Sequence, residues 1–459
     1  MNKNILGNID MVNGPLFKNI WAYTIPAILT GILQLLFNAV NLVVVGRYCG
    51  SLSVAAVGST GAIINLVINL FIGLSVGVGV IVATALGTKD EEKVRSIVHT
   101  SIPVALTGGI ALALIGLVIT TPLLRLMSTP DDVIDLAAIY MKIYFCGMPG
   151  SLLYNYGAAV LRADGDTRTP LLFLALAGVV NVALNLIFVI FLKMDVAGAA
   201  LATSISQTLS AVLVLGALTR RKGPCRLNLS AVKIEKAALV QMLKIGLPAG
   251  LQGSMFSISN VIIQGSVNSF GSIAMSGNAA AANLEGFIII SMNAFHLSAM
   301  NFTAQNYGAG KLERVPKIRR CCLLNVFLVG ELMGIPTYLA ADKLLGIYIT
   351  DSPEAIKAGI MRMSFVCLLY GLCGLQDVAT GVLRGLGASL APTVVSVFGI
   401  CVFRIIWIFT IFQIPRFHNL QMLYVTYPLS WILTFVLLNL CYRTAYKNRL
   451  LYARQMRGE

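Results

Sequence analysis

The sequence predicts an all-α membrane protein: twelve transmembrane helices in two six-helix bundles related by pseudo-two-fold symmetry along the membrane normal. Three observations predict it. The 459 residues are 57% hydrophobic and 12% charged, with a mean hydropathy of +0.82, outside the balance of a soluble domain. Twelve apolar stretches, each long enough to cross about 30 Å of hydrocarbon, follow one another with short polar connections. The second half of the chain also repeats the first.

The first six stretches run near 18–46, 54–86, 97–124, 134–160, 170–192 and 196–218. The other six run near 241–269, 275–305, 321–341, 358–383, 391–413 and 422–442. Residues 1–225 are therefore read as an N-terminal lobe, 226–240 as a solvated cytoplasmic linker, and 241–459 as a C-terminal lobe with a basic tail.

The repeat has an offset of about 222 residues. Leu161-Arg162-Ala163-Asp164-Gly165 leading to Pro170 matches Leu383-Arg384-Gly385-Leu386-Gly387 leading to Pro392. Ala83 to Gly87 matches Ala304 to Gly308, Thr129-Pro130-Asp131 matches Ser352-Pro353-Glu354, and Pro26-Ala27 matches Pro248-Ala249. An even number of helices per half gives both halves the same orientation, the layout of transporters whose bundles rock around a central site. Prolines 26, 103, 149, 248, 336 and 428 interrupt apolar helices, and each removes a backbone hydrogen bond.

The net charge of +15 follows membrane topology rather than nucleic acid. With both termini cytoplasmic, Arg47, Arg125, Lys142, Lys193, Lys343, Lys357, Arg362 and Arg416 fall outside and Arg404 inside a helix. Every other Lys and Arg, including Lys3, Arg384, Arg454 and Arg457, falls inside, the positive-inside bias. No cleavable leader is recognisable. The nine cysteines lie scattered in apolar segments as small buried residues, without metal-ligand spacing. His99, His296 and His418 are isolated, and no phosphate-binding G-x-x-x-x-G-K-[ST] occurs. No catalytic group or metal site is expected, so an enzyme is disfavoured.

Acids inside a membrane are costly and become functional candidates by default. Glu285, Glu331 and Asp377 qualify, all in the second half. Tyr370 and Gly381 share a helical face with Asp377, and Glu285 sits among Ala279–Ala282 and Gly286, small residues that admit a close helix. Glu285 and Asp377 are the candidates for binding a coupling cation. The first half offers amides at helical spacing: Gln34, Asn38 and Asn41, then Asn65 and Asn69, then Asn181 and Asn185. They can ligate a cation through oxygen or bond a substrate, but they cannot exchange a proton at physiological pH. Arg404, deep in its helix, is expected to pair with an acid.

These residues together resemble the multidrug and toxic compound extrusion (MATE) family over almost the whole chain. Pro26 with Val45-Gly46-Arg47 is similar to that family's first helix, and Gly73-Leu74-Ser75-Val76-Gly77 to its second. Arg162 to Pro170 with Asn181 and Asn185 looks like its fifth, and Gly198 to Thr203 its sixth. Gln305-Asn306-Tyr307-Gly308-Ala309-Gly310 resembles the end of its eighth, and Tyr427-Pro428-Leu429-Ser430-Trp431 its last.

The resemblance implies a monomeric multi-pass protein of a bacterial inner membrane, in contact with lipid. It implies export of small amphipathic, often cationic compounds in exchange for H+ or Na+, without another cofactor or nucleic acid. Members coupled through the N-lobe carry Asp where this chain has Asn41 and Asn185, so the resemblance implies that coupling has moved to the C-lobe. Asp377 is similar to a helix-10 Asp of a branch that binds its cation there, although that branch's partner Glu lies on helix 7 and Glu285 on helix 8. A flippase for lipid-linked saccharides is the alternative. It needs a basic cavity for pyrophosphate, and Arg404 is the one cation expected deep in the membrane. A channel is disfavoured because two repeated lobes suit alternating access better than a fixed pore.

Overall fold

A computed structural model describes residues 9–127, 129–349 and 352–457. The side chains at 51, 54, 59, 62, 63, 65, 452–454, 456 and 457 lie outside the description. Lys3 and the side chains of Asn65, Arg454 and Arg457 are therefore not placed.

The described chain is helical from end to end. α1 is Leu16–Tyr48, α2 Ser51–Thr88 and α3 Glu91–Leu126. α4 is Asp131–Cys146 continued by Met148–Ala163, and α5 is Arg168–Asn185 continued by a π-helical stretch, Leu186–Phe191. α6 is Asp195–Arg220, α7 Lys236–Asn268, α8 Ser272–Gly308 and α9 Val315–Leu339. α10 is Pro353–Val366, a 3-10 turn Cys367–Leu369, and Tyr370–Gly385. α11 is Leu390–Ser396, a π stretch Val397–Val402, and Phe403–Phe409, and α12 is Thr426–Arg457.

Ten of these are each long and apolar enough to span a bilayer, and the two segments of α4, bent by 45°, make another. α7 completes the twelve with 33 residues, its polarity raised by Gln252, Ser254, Ser257 and Ser259.

The repeat returns as backbone geometry. Gly50 and Gly271, which precede the second helix of each half, have φ of 92° and 90°, and Gly165 and Gly387, which precede the fifth, have 87° and 78°. Side chains avoid that region. The fourth helix of each half also breaks at matching positions, α4 at Gly147 and α10 at Cys367–Leu369.

Contacts divide the chain into two units. One holds residues 9–10 and Ile25–Gly250, and the other Met11–Thr24 and Leu251–Glu459. The crossings fall at the repeat-matched prolines, Pro26 in α1 and Pro248 in α7. The division thus differs from a simple cut in the linker.

In the first unit, glycines explain why the start of α7 belongs there. A Cβ at Gly73 would lie 2.1 Å from Gly250 N, and one at Gly77 would lie 2.4 Å from Met242 O, so α2 meets α7 backbone to backbone. In the second unit Met11–Thr24 is held by hydrogen bonds. Asn306 Nδ2 donates to Met11 O at 2.9 Å, Asn301 Nδ2 to Tyr23 Oη at 2.8 Å, and Trp21 Nε1 to Asn325 Oδ1 at 3.1 Å.

The linker is largely exposed, as expected of a solvated loop, and is anchored at a few points. Cys225 and Leu227 are buried, Asn228 N donates to His99 Nε2 at 3.0 Å, and Glu235 N to Thr100 Oγ1 at 3.1 Å. Arg221 bonds both Asp164, at 2.5 Å, and Asp166, at 3.0 Å. Polar backbone that packs against helix ends must find partners, and α3 and the α4–α5 turn supply them.

Gly387→Ala is expected to destabilise by about 1–2 kcal/mol, the cost of a left-handed non-glycine residue, because its Cβ would meet nothing nearer than Arg449 Nη2 at 3.5 Å. Gly165→Ala should cost more, since its Cβ would also lie 2.7 Å from Ile9 O. Thermal unfolding of the two variants in detergent checks the order.

Candidate functional site

Glycines at 277 and 381, outside the Ala279–Ala282 and Gly286 set, bring α8 close to α10. On α8, a Cβ at Gly277 would lie 2.2 Å from Ala355 O of α10, and on α10 a Cβ at Gly381 would lie 2.5 Å from His296 O of α8. The two helices therefore run in close contact along their length, and the polar residues they carry meet.

The first meeting corrects the sequence reading. Arg362, expected outside, is buried at 7% exposure within α10. Its Nε and Nη2 donate to Glu285 Oε1 and Oε2 at 2.8 and 2.6 Å, and its Nη1 donates to Asn278 Oδ1 at 2.8 Å. Tyr370 Oη reaches Glu285 Oε2 at 3.5 Å, and Tyr424 Oη reaches Asn278 Oδ1 at 3.3 Å. The Arg362 guanidinium also lies over the Tyr427 ring, 5.2 Å from its centre. Both oxygens of Glu285 are thus occupied by one bidentate partner, the geometry that suits guanidinium and carboxylate. Tyr370 shares a face with Asp377, as the spacing predicted, but its hydroxyl serves Glu285.

The second meeting lies further along α8, since His296 is eleven residues from Glu285, about 16 Å of helix. His296 Nδ1 donates to Asp377 O at 2.7 Å, and its Nε2 accepts from Arg384 Nη1 at 3.4 Å. Arg384 Nη2 donates to Gln252 Oε1 at 2.8 Å. Arg384, expected in the cytoplasm, is buried at 6% exposure and is attracted by Asp377. Among the described residues the Asp377 carboxylate has no ion pair within salt-bridge distance; its Oδ1 accepts from Gln376 Nε2 at 3.3 Å. No hydrogen bond joins Asp377 to Glu285.

Arg404 does not pair with an acid among the described residues. Its Nε donates to Ser430 Oγ at 3.0 Å, and its guanidinium lies 4.1 Å from the centre of the Tyr427 ring. Glu331 has a backbone partner, Gly371 N, at 3.1 Å. That amide follows the 3-10 turn of α10 and lacks an intrahelical acceptor, as at any helix start.

In the first unit, three of the predicted amides come together. Asn185 Nδ2 donates to Asn41 Oδ1 at 2.5 Å and to Asn181 Oδ1 at 3.2 Å, and Asn41 Nδ2 donates to Thr203 Oγ1 at 3.0 Å. All three are buried, and Asn185 Oδ1 has no partner. Gln34 and Asn38 stay exposed and make no side-chain hydrogen bond among the described residues.

With this geometry in hand, comparison with known proteins settles the family. The sequence model of MatE matches twice, over residues 26–187 and 248–410, one match in each repeat. The chain belongs to the MatE family. It is similar to the probable multidrug resistance protein YoeA of Bacillus subtilis (strain 168), with 27% identity over 94% of this chain and 95% of that one. YpnP of the same organism, also a probable multidrug resistance protein, is 29% identical over 86% and 88%.

Among solved structures, a crystal structure of MATE in complex with MaL6 matches with a TM-score of 0.90 and 20% identity, over 98% of this chain and 99% of that one. An outward-facing MATE transporter of the MOP superfamily matches at 0.89 and 20% identity, over 96% and 98%. This MATE chain is therefore a multi-pass membrane transporter and not an enzyme.

Arg362 and Arg384 are the residues the sequence reading missed. A signal existed for Arg362: the Ser352-Pro353-Glu354 match to Thr129-Pro130-Asp131 starts α10 at Pro353, which sets Arg362 more than two turns inside.

Removing either member of the buried pair, by Glu285→Leu or Arg362→Met, is expected to destabilise by about 3–5 kcal/mol, because an uncompensated charge stays buried. The double variant should lose less than either single variant alone, and a double-mutant cycle from thermal unfolding measures the difference.

Proposed function

We propose that this MATE protein exports small amphipathic, often cationic compounds in exchange for inward H+ or Na+, and that Asp377 carries the coupling ion. One observation supports the assignment. Of the three acids set deep in α8, α9 and α10, Glu285 is held by Arg362 and Glu331 by a backbone amide, and Asp377 keeps a carboxylate bonded only by a neighbouring amide side chain.

The mechanism follows from linkage. A cation on Asp377 favours one conformation of the transporter, and substrate favours the other, so each drives the other's release. One charge falling through 100 mV is worth about 2.3 kcal/mol, enough for about fiftyfold accumulation. Glu285 joins the cycle only when Arg362 releases it. The amide cluster of Asn41, Asn181 and Asn185 contributes polar lining without proton exchange. The protein works as a monomer in a bacterial inner membrane, in contact with lipid, with both termini in the cytoplasm and no cofactor beyond the coupling ion.

A flippase for lipid-linked saccharides is the second reading, and the three buried arginines favour it in number. Two are already engaged: Arg362 by Glu285, and Arg384 by Gln252 and His296. One guanidinium is a weak cradle for a pyrophosphate, so drug export remains the reading preferred here.

In proteoliposomes, wild-type protein is expected to move a cationic dye against its gradient when an H+ or Na+ gradient is imposed. Asp377→Asn should reduce that gradient-driven transport at least tenfold. Full transport by the variant would remove Asp377 from the coupling role.

A further inference from the structure

The buried charges around Tyr427 do not balance. Arg362 and Arg404 lie over the same ring, at 5.2 and 4.1 Å from its centre, so their guanidinium carbons are no further apart than those two distances combined. One carboxylate, Glu285, faces the pair, and it is bound bidentately to Arg362. Of the other deep acids, Glu331 bonds Gly371 N and Asp377 bonds Gln376, and neither bonds Arg404. A guanidinium does not shed its proton to escape such a place. A charged side chain within a membrane bundle otherwise finds a partner of opposite sign.

The surroundings of Arg404 describe what that partner would be. Nε is used on Ser430, and among the described residues its terminal nitrogens make no hydrogen bond within the protein, leaving the fork that grips a carboxylate with two parallel bonds. One turn further along α12, the fully buried Thr434 hydroxyl has no hydrogen-bond partner. The Tyr427 ring under Arg404 belongs to an aromatic cluster: Trp431 packs on Tyr427 and Tyr370, with centroids 6.0 and 5.6 Å apart. The π-helical stretch Val397–Val402 runs directly into Phe403-Arg404, and such local widenings of a helix recur at functional sites.

We propose that Arg404 receives the carboxylate of an aromatic acid or zwitterion, so that the C-terminal bundle admits compounds that carry an anionic group in addition to cationic ones. The inference rests on the reading that this protein moves amphipathic small molecules, and it adds a class to them. The carboxylate bonds Arg404, and the aromatic rings take the apolar body.

The test is binding to purified protein in nanodiscs, measured by calorimetry. The probes are 1-naphthylacetate and its neutral isostere 1-naphthylacetamide, each in chloride-free buffer and in buffer with 0.1 M chloride. Wild-type protein should bind the acid at least tenfold more tightly than the amide, in both buffers. Arg404→Gln should abolish the preference, and Arg404→Lys should keep part of it.

Equal affinity for acid and amide in the wild type would overturn the proposal without reference to any variant. So would a preference that survives Arg404→Gln, or one that chloride abolishes, which would make the site one for an inorganic anion only. Failure of dye export by the wild type counts against the transport reading alone, and failure of the acid preference counts against Arg404 alone.

Discussion

The C-terminal bundle depends on the bond between Glu285 and Arg362. Two ionised groups in the interior of a membrane bundle are costly to desolvate, and their attraction offsets that cost only when geometry is good and the remaining hydrogen-bonding positions are filled. Both conditions are met: the contact is bidentate, Asn278 takes the third guanidinium nitrogen, and Tyr370 adds a donor to the carboxylate. The pair also requires α8 and α10 to lie close, and Gly277 and Gly381 allow it. Sequence, packing and electrostatics are thus one constraint at this point. A larger residue at 277 would force apart the helices that hold the charges together.

The two bundles share a backbone plan and differ in chemistry. At the positions that meet in the first unit, the side chains are amides, Asn41, Asn181 and Asn185, which satisfy one another nearly completely. The second unit instead carries charge, with three buried arginines and, deep in α8, α9 and α10, the acids Glu285, Glu331 and Asp377. Neutral amides fix helix positions with little desolvation cost, whereas charges respond to an ion or a ligand.

Much of this was legible in the sequence, for reasons that mark where the rest was not. Helix number and the repeat are written in hydropathy and in Gly and Pro spacing, because the bilayer fixes helix length and special backbone angles demand glycine. Gly165 and Gly387 show this directly. The spacing of Asn41, Asn181 and Asn185 gave the faces they occupy, although nothing in it distinguished them from Gln34 and Asn38, which stay exposed. Arg384 was read as a flanking charge because hydropathy alone ends a helix at its ionised residues, and Arg362, near the start of the 358–383 stretch, was assigned to the outer side. An arginine paired inside the bundle breaks that rule, and only the position of its partner across a helix contact reveals it. The expected acid for Arg404 failed for the same reason in reverse: a one-dimensional count of acids and bases cannot tell which acid is already taken.

The repeat also explains Glu331 better than its depth does. In both halves the fourth helix breaks, and the second amide after the break needs an acceptor unless it is absent. In the first half the residue there is Pro149, which has no N–H, and the facing position on α3 is Gly109, whose Cβ would lie 2.4 Å from Pro149 Cα. In the second half the matching residues are Gly371, which restores the N–H, and Glu331, which accepts from it at 3.1 Å. One structural problem thus has two solutions, proline against glycine and glycine capped by glutamate. The acid on α9 is present because its partner on α10 is not proline, and that accounts for its charge without giving it any part in ion exchange.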